Sequence, residues 1–238
     1  MATFILIHGA WHGGWCWERV VPLLEAAGHA VLAPDLPGME QHPGALGEDV
    51  LGEWAEFVAG LASRAQAPVI LVGHSRGGVV ISEAAERVPD RIARLVYLTA
   101  FLLEDGQSLN DVASRHPDIG PGPFIGPADD PARVTVELEP SIAIFYNRMF
   151  PDDARAATAR LVPEPLAALT TPISLSEERF GRVPRAYIEC TDDRAISLEM
   201  QREMQTALPC DPVITLDCDH SPFYSAAPQL AEALLRMA

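Results

Sequence analysis

The chain has 238 residues, 48% hydrophobic and 21% charged, a balance that suits a folded globular protein and argues against disorder. Its 17 basic and 33 acidic side chains leave a formal charge of −16, which repels nucleic acid and anionic membrane surfaces and speaks against both as partners. No apolar run reaches the roughly 20 residues of a membrane span, and the four cysteines, Cys16, Cys190, Cys210 and Cys218, lack CxxC spacing, so they are expected to be reduced and packed rather than metal-bound.

The N-terminus lacks a basic segment followed by a long apolar one, so a cytoplasmic location is expected. Short apolar runs then recur at residues 3–7, 30–33, 69–73, 95–99, 186–190 and 213–216, each read as a strand buried on both faces. Helical patterns lie between and after them, at 17–27, 46–63, 78–87, 198–207 and 228–237. Strand and helix alternate without repeats or linkers. This predicts one α/β domain over 1–238, with a mostly parallel sheet of about six strands and helices on both faces.

One stretch interrupts the alternation. From about 104 to 183 there is no convincing strand, many prolines and two helical patterns, at 141–149 and 152–161, so it reads as an inserted helical lid over a pocket rather than a mere cover for the sheet edge. Within it, residues 118–127 are too rich in Pro and Gly for regular structure and are expected to be its most mobile part.

The chemistry centres on Gly73-His74-Ser75-Arg76-Gly77, a G-x-S-x-G pattern placed directly after an apolar strand and before a helix. A serine hydroxyl is a poor nucleophile, so an enzyme that uses one exposes it on a sharp turn beside a base and backbone N–H donors. With this elbow the base and its orienting acid follow in the order Ser, Asp or Glu, His. His220, in the loop after the last strand and before the last helix, is the expected base. Asp193, at the end of the preceding strand, is the expected acid in preference to its neighbour Asp192, which reads as a solvated residue. Asp217 and Asp219 are taken for turn residues.

An oxyanion needs two N–H donors. One is assigned to Arg76, after the nucleophile, and the other to Ala10, in the loop His8-Gly9-Ala10-Trp11-His12-Gly13-Gly14 after the first strand. The Arg76 side chain is assigned no part in the chemistry. Candidate pocket walls are His12, Phe101, Leu102, Phe124, Phe145, Tyr146 and Met149, whose apolar and aromatic character points to apolar or aromatic substrates.

These residues stand in four long segments: FILIHGAWHGGWCWERVVPLLEAAGHAVLAPDLPGM at 4–39, VILVGHSRGG at 69–78, EERFGRVPRAYIECTDDRAISLEMQREM at 177–204 and DHSPFYSAAPQLAEAL at 219–234. With them the chain resembles the α/β-hydrolase superfamily, in the branch of plant methylesterases, hydroxynitrile lyases and related bacterial esterases that include pyrethroid hydrolases. The resemblance implies the α/β-hydrolase fold, a Ser75, Asp193 and His220 triad, a carboxylic-ester substrate, no metal or organic cofactor, and compatibility with a homodimer. Two alternatives remain: a cofactor-free lyase of the hydroxynitrile type and a small-molecule receptor with a vestigial triad. The lyases of this branch carry threonine and lysine where this chain has Gly9 and Ser221, which favours hydrolysis, and Gly9 is expected to leave room on the oxyanion side.

Overall fold

The computed structural model describes residues 1–39, 46–117 and 119–238; Asp118, the first residue of the Pro- and Gly-rich segment, lies outside them. A six-stranded sheet runs in the order β2-β1-β3-β4-β8-β9, from β1 (Thr3–Ile7), β2 (Ala30–Leu32), β3 (Val69–His74), β4 (Ile92–Leu98), β8 (Arg185–Cys190) and β9 (Val213–Leu216). Every neighbouring pair in it is parallel. The four inner strands are near-continuous apolar runs because both faces are covered, whereas the edge strands β2 and β9, expected to be buried on both faces, are partly exposed, with Leu32 at 43% and Val213 at 45%. Their side chains alternate between two cores. Phe4 and Leu6 pack on one face with α1 (Val21–Ala26) and α10 (Ala227–Leu235), while Ile5 and Ile7 pack on the other with α2 (Val50–Arg64), α3 (Gly77–Arg87) and α8 (Leu198–Ala207).

The helices begin where local chemistry allows. The expected helix at 17–27 starts only at Val21, because Pro22 has no N–H to give and is tolerated in a first turn but not in an interior. The helix expected from 46 starts at Val50, where the Asp49 side chain accepts from the Gly52 N–H at 2.9 Å.

The insertion between β4 and β8 differs most from expectation. Besides α4 (Leu109–Ala113), α5 (Leu138–Phe145), α6 (Pro151–Thr158) and α7 (Ala167–Thr170), it holds a three-stranded antiparallel sheet of β5 (Ile125–Pro127), β6 (Arg133–Val136) and β7 (Glu164–Pro165). Val134 pairs with Pro127 on one side and Glu164 on the other. Part of the segment expected to be irregular is therefore a strand. Both prolines sit on the outer strands, where a missing N–H breaks no central ladder. After β9 a short loop leads to α9 (Pro222–Ser225) and α10. No helix among the described residues is long and apolar enough to cross a membrane.

Sheet order places the site. The chain goes from β1 outward to β2 and returns to lay β3 on the other side of β1, so the carboxyl ends of β1 and β3 flank a crevice. Thr99, Asp193 and His220 follow the carboxyl ends of β4, β8 and β9.

Candidate active site

Ser75 sits between β3 and α3 with φ of 52°, a left-handed conformation that is costly for any residue with a Cβ. Close packing holds it there. A Cβ on Gly73 would lie 2.6 Å from the Gly77 carbonyl oxygen, and one on Gly77 would lie 2.7 Å from that of Ile7. Only glycine lets the helix start press this tightly on β1 and β3. The turn is further tied by the Ser75 carbonyl, which accepts from Gly78 N at 3.0 Å and Phe101 N at 3.1 Å.

Asp193 and His220 meet across the strand ends. The His220 Nδ1–H donates to Asp193 Oδ2 at 2.7 Å, and both side chains are buried. The Asp193 carboxylate is otherwise saturated: Oδ1 accepts from Ala195 N at 2.7 Å and Ile196 N at 2.9 Å, and Oδ2 also accepts from the Thr99 hydroxyl. These donors leave the aspartate one orientation. Behind His220, the ring of His74 lies 4.6 Å away between centroids, and its Nε2–H donates to the His220 carbonyl at 2.8 Å. His220 Nε2 and the Ser75 hydroxyl have no hydrogen bond among the described residues.

Ser75, Ala10 and Arg76 line a cavity of about 190 Å³. Its walls are apolar, with Phe101, Leu109, Phe145, Leu169, Ile196 and Met200, and the polar Asn110, Ser114 and His116 also line it. The backbone N–H groups of Ala10 and Arg76 find no acceptor among the described residues.

Of the expected pocket walls, Phe101 and Phe145 line this cavity and five do not. Phe124 ends a 3-10 turn at the surface, 38% exposed, while its neighbour Ile125 turns inward. Leu102 is buried in the core on the α8 side, its N–H on Met204 Sδ at 3.4 Å. Met149 packs half-buried against the opposite core. His12 and Tyr146 are buried behind the Ala10 loop, joined by a 2.8 Å hydrogen bond.

That loop is held by partners the sequence did not announce. His12 Nδ1–H donates to the Ala10 carbonyl at 2.8 Å, so Nε2 is the acceptor from Tyr146, and burial pushes the imidazole down to about 3, Ala10 opposing. His8 is likewise neutral: Nε2 accepts from Leu36 N and Nδ1–H donates to Gly9 O, with burial and then Arg76 holding it well below the usual range. Burial also depresses His74, followed by the charge of His220.

The Arg76 side chain is wholly buried, its Nε donating to Glu164 Oε1 at 2.9 Å and its guanidinium lying 4.4 Å over Trp54. Burial pulls Arg76 down and pushes Glu164 up, each opposed by the partner's charge. Glu164 comes from β7, 88 residues away. A lone carboxylate in the apolar run Leu161-Val162-Pro163-Glu164-Pro165-Leu166 was the available signal, since such a group must find a donor when buried.

Two other expectations change. A Cβ on Gly9 would lie 2.9 Å from both Ser75 Cβ and His74 Nδ1, so this glycine leaves no room: it is where the loop and the elbow touch. Asp219 is no simple turn residue. It is fully buried and accepts from Ser221 N, the Ser225 hydroxyl and Arg148 N of the insertion. Arg148 also bridges Asp192 and Asp217, each at 2.9 Å, so Asp192 is a tether and not merely solvated.

The chain is 35% identical to a pyrethroid hydrolase of Sphingobium wenxiniae, an alignment covering 98% of this chain and 86% of that one. It is 32% identical to methylesterase 7 of Arabidopsis thaliana, over 99% and 95% of the two chains. The solved structure of a pyrethroid hydrolase from Sphingobium faniae superposes with a TM-score of 0.81 at 32% identity, covering 99% of this chain and 96% of that chain. Together with a match over residues 4–233 to the family described as the alpha/beta hydrolase family, these likenesses accompany the sheet order and elbow already described, and the chain belongs to that family.

Proposed function

We propose that the protein hydrolyses small apolar or aromatic carboxylic esters, with Ser75 as nucleophile, His220 as general base and then acid, and Asp193 as the group that orients His220. Esterase activity is what several relatives carry in their names, methylesterases and a carbendazim hydrolyzing esterase among them, and another is named a pyrethroid hydrolase. The observation that best supports these residue roles is the 2.7 Å bond from His220 Nδ1 to a saturated Asp193, which leaves Nε2 without a hydrogen bond among the described residues.

In this reading Ser75 Oγ bonds to the ester carbonyl carbon while its proton passes to His220 Nε2. The carbonyl oxygen becomes an oxyanion facing the N–H groups of Ala10 and Arg76. The intermediate collapses, the C–O bond to the alcohol breaks, and the leaving alkoxide takes the proton from His220. Water, deprotonated by the same imidazole, then attacks the acyl-enzyme and frees the acid and Ser75. The buried Asp193 carboxylate stabilises the imidazolium in each half-reaction without taking its proton. A cavity of about 190 Å³ with apolar walls suits one short acyl chain or a single ring, because a site of about 150 Å³ already admits benzene.

Cyanohydrin cleavage is the weaker reading. Position 221 carries a serine, fully buried, which cannot supply the positive charge that the resembling lyases bring with lysine. A panel of short aliphatic, aromatic methyl and bulky esters beside a cyanohydrin, with Ser75→Ala and His220→Ala as controls, tests both. Ester turnover that vanishes in both variants supports the proposal; near wild-type turnover by folded Ser75→Ala ends it.

A further inference from the structure

The proposed mechanism uses only the backbone of Arg76, yet its side chain makes an ion pair that is completely buried. Such pairs are weak devices for stability, since desolvating the two charges offsets much of their attraction and apolar replacements are often as stable. The geometry gives the pair another task. Arg76 Nη2 donates to the Gly9 carbonyl at 3.1 Å, and His8 Nδ1 donates to the same oxygen at 2.9 Å. In a planar trans peptide the C=O and the following N–H point opposite ways, so two donors fastened to Gly9 O set the direction of the Ala10 N–H.

The next peptide plane is fixed from both sides too. Glu164 Oε2 accepts from Trp11 N at 3.0 Å, and the Ala10 carbonyl accepts from His12 at 2.8 Å. Trp11 itself has φ of 60°, a conformation that needs such restraint, and its carbonyl and indole N–H are held by Val162 N and Val134 O of the insertion. Glu164 therefore touches both the guanidinium that holds Gly9 and the amide that follows Ala10.

We propose that Arg76 and Glu164 are positioning residues for ester hydrolysis: through their buried pair, the insertion aims the Ala10 N–H at the oxyanion. This rests on the reading of Ser75 as nucleophile. An oxyanion donor acts on charge that exists only in the transition state, so a misaimed Ala10 N–H lowers kcat and leaves KM nearly unchanged.

The test uses the full chain, an activated aryl acetate as substrate, and a phenyl trifluoromethyl ketone as a probe that adds to Ser75 and places an oxyanion in the same hole. Glu164→Gln is expected to lower kcat per titrated site about 10- to 100-fold and to raise the ketone's inhibition constant by a similar factor. The pair Arg76→Met with Glu164→Leu leaves no unpaired charge, so it keeps the fold while losing the Gly9 donor, and the same two changes are expected. A melting temperature that moves while kcat per site and ketone affinity stay at wild-type values, in either variant, overturns the proposal. Ser75→Ala run alongside separates the two readings. Turnover surviving there sinks the nucleophile assignment, whereas a dead Ser75→Ala beside a fully active Glu164→Gln sinks only the positioning role.

Discussion

Tyr146, on the insertion, donates its hydroxyl proton to Nε2 of His12, in the loop after β1, across 2.8 Å. Because Nδ1 of the same ring serves the Ala10 carbonyl, His12 is held as the neutral tautomer with no site left for a second proton. Its imidazole is pushed from 6.5 down to about 3, by burial first, then by the charges of His220 and Arg76, with the Ala10 bond opposing. The unfolded chain takes up this proton below about pH 6.5 and the folded chain does not until about pH 3, so stability present above pH 6.5 is lost as pH falls through that window. Each such histidine contributes a slope of about 1.4 kcal/mol per pH unit. His8 and His74, also depressed by burial, act in the same direction. Urea denaturation at a series of pH values between 4 and 7 is expected to show a steep loss of stability on acidification, and His12→Asn, which keeps a donor for Ala10, to be shallower by about one proton's slope. Parallel curves for variant and wild type would refute a neutral buried His12.

The proposal of Asp193 over its neighbour Asp192 as the acid rests on what each touches. Asp193 Oδ2 faces His220, whereas Asp192 is partly exposed and bound to Arg148 and Asn147. Asp193→Asn turns one acceptor into a donor that must face Thr99, His220 or the Ala195 and Ile196 amides, so kcat is expected to fall about 10³- to 10⁴-fold. Asp192→Asn loses only part of a solvent-facing ion pair and is expected to cost at most about 1 kcal/mol of stability and less than threefold in kcat. Steady-state kinetics on both variants checks the order, and the reverse order would move the assignment by one residue.

What could be read beforehand follows from where information is local. β1 and β9 match their expected bounds, because short apolar runs between turns have few alternatives, whether buried like β1 or partly exposed at the sheet edge like β9. The elbow, His220 and Asp193 were legible for a related reason: each stands at the carboxyl end of such a strand, and sheet order brings those ends together. The insertion sheet was missed although Arg133-Val134-Thr135-Val136 alternates and is rich in β-branched residues; at three or four residues such patterns weigh little against the surrounding prolines. The Arg76 and Glu164 pair was illegible in a stronger sense. Neither neighbourhood encodes a partner 88 residues away, and the pairing appears only once β7 is seen beside the Ala10 loop.

Gly9 gives the sharpest steric prediction. An alanine there places its Cβ 2.9 Å from the Cβ of Ser75 and from Nδ1 of His74, neither of which is the free end of a flexible chain. The loop or the elbow must then move by several tenths of an ångström. Overpacking of this kind costs about 1–3 kcal/mol, and because the displaced parts carry the proposed nucleophile and a proposed oxyanion donor, kcat is expected to fall more than about tenfold even in folded protein. Thermal denaturation with burst titration on Gly9→Ala separates the two effects. A variant as stable and as active as wild type would mean that the contact between loop and elbow is looser than described.

Leu169, on α7, lines the cavity and is nearly buried, so under the proposed function it is a wall that limits substrate size. Leu169→Ala removes three carbons from the wall, which costs about 2–5 kcal/mol of stability if the space stays empty. A larger acyl group can fill that space and recover part of the loss in the transition state. Discrimination between substrates differing by a methylene or two in an apolar pocket amounts to about 10- to 200-fold. The ratio of kcat/KM for a benzoate or branched ester over an acetate is therefore expected to rise by about tenfold in Leu169→Ala, with the acetate value little changed. The measurement is a matched series of aryl esters in which only the acyl part grows. A rise confined to esters with enlarged alcohol parts would place the alcohol, not the acyl group, against α7. A ratio unchanged in both series would mean that neither half of the ester occupies the cavity beside Leu169, and would remove the size argument drawn from its volume.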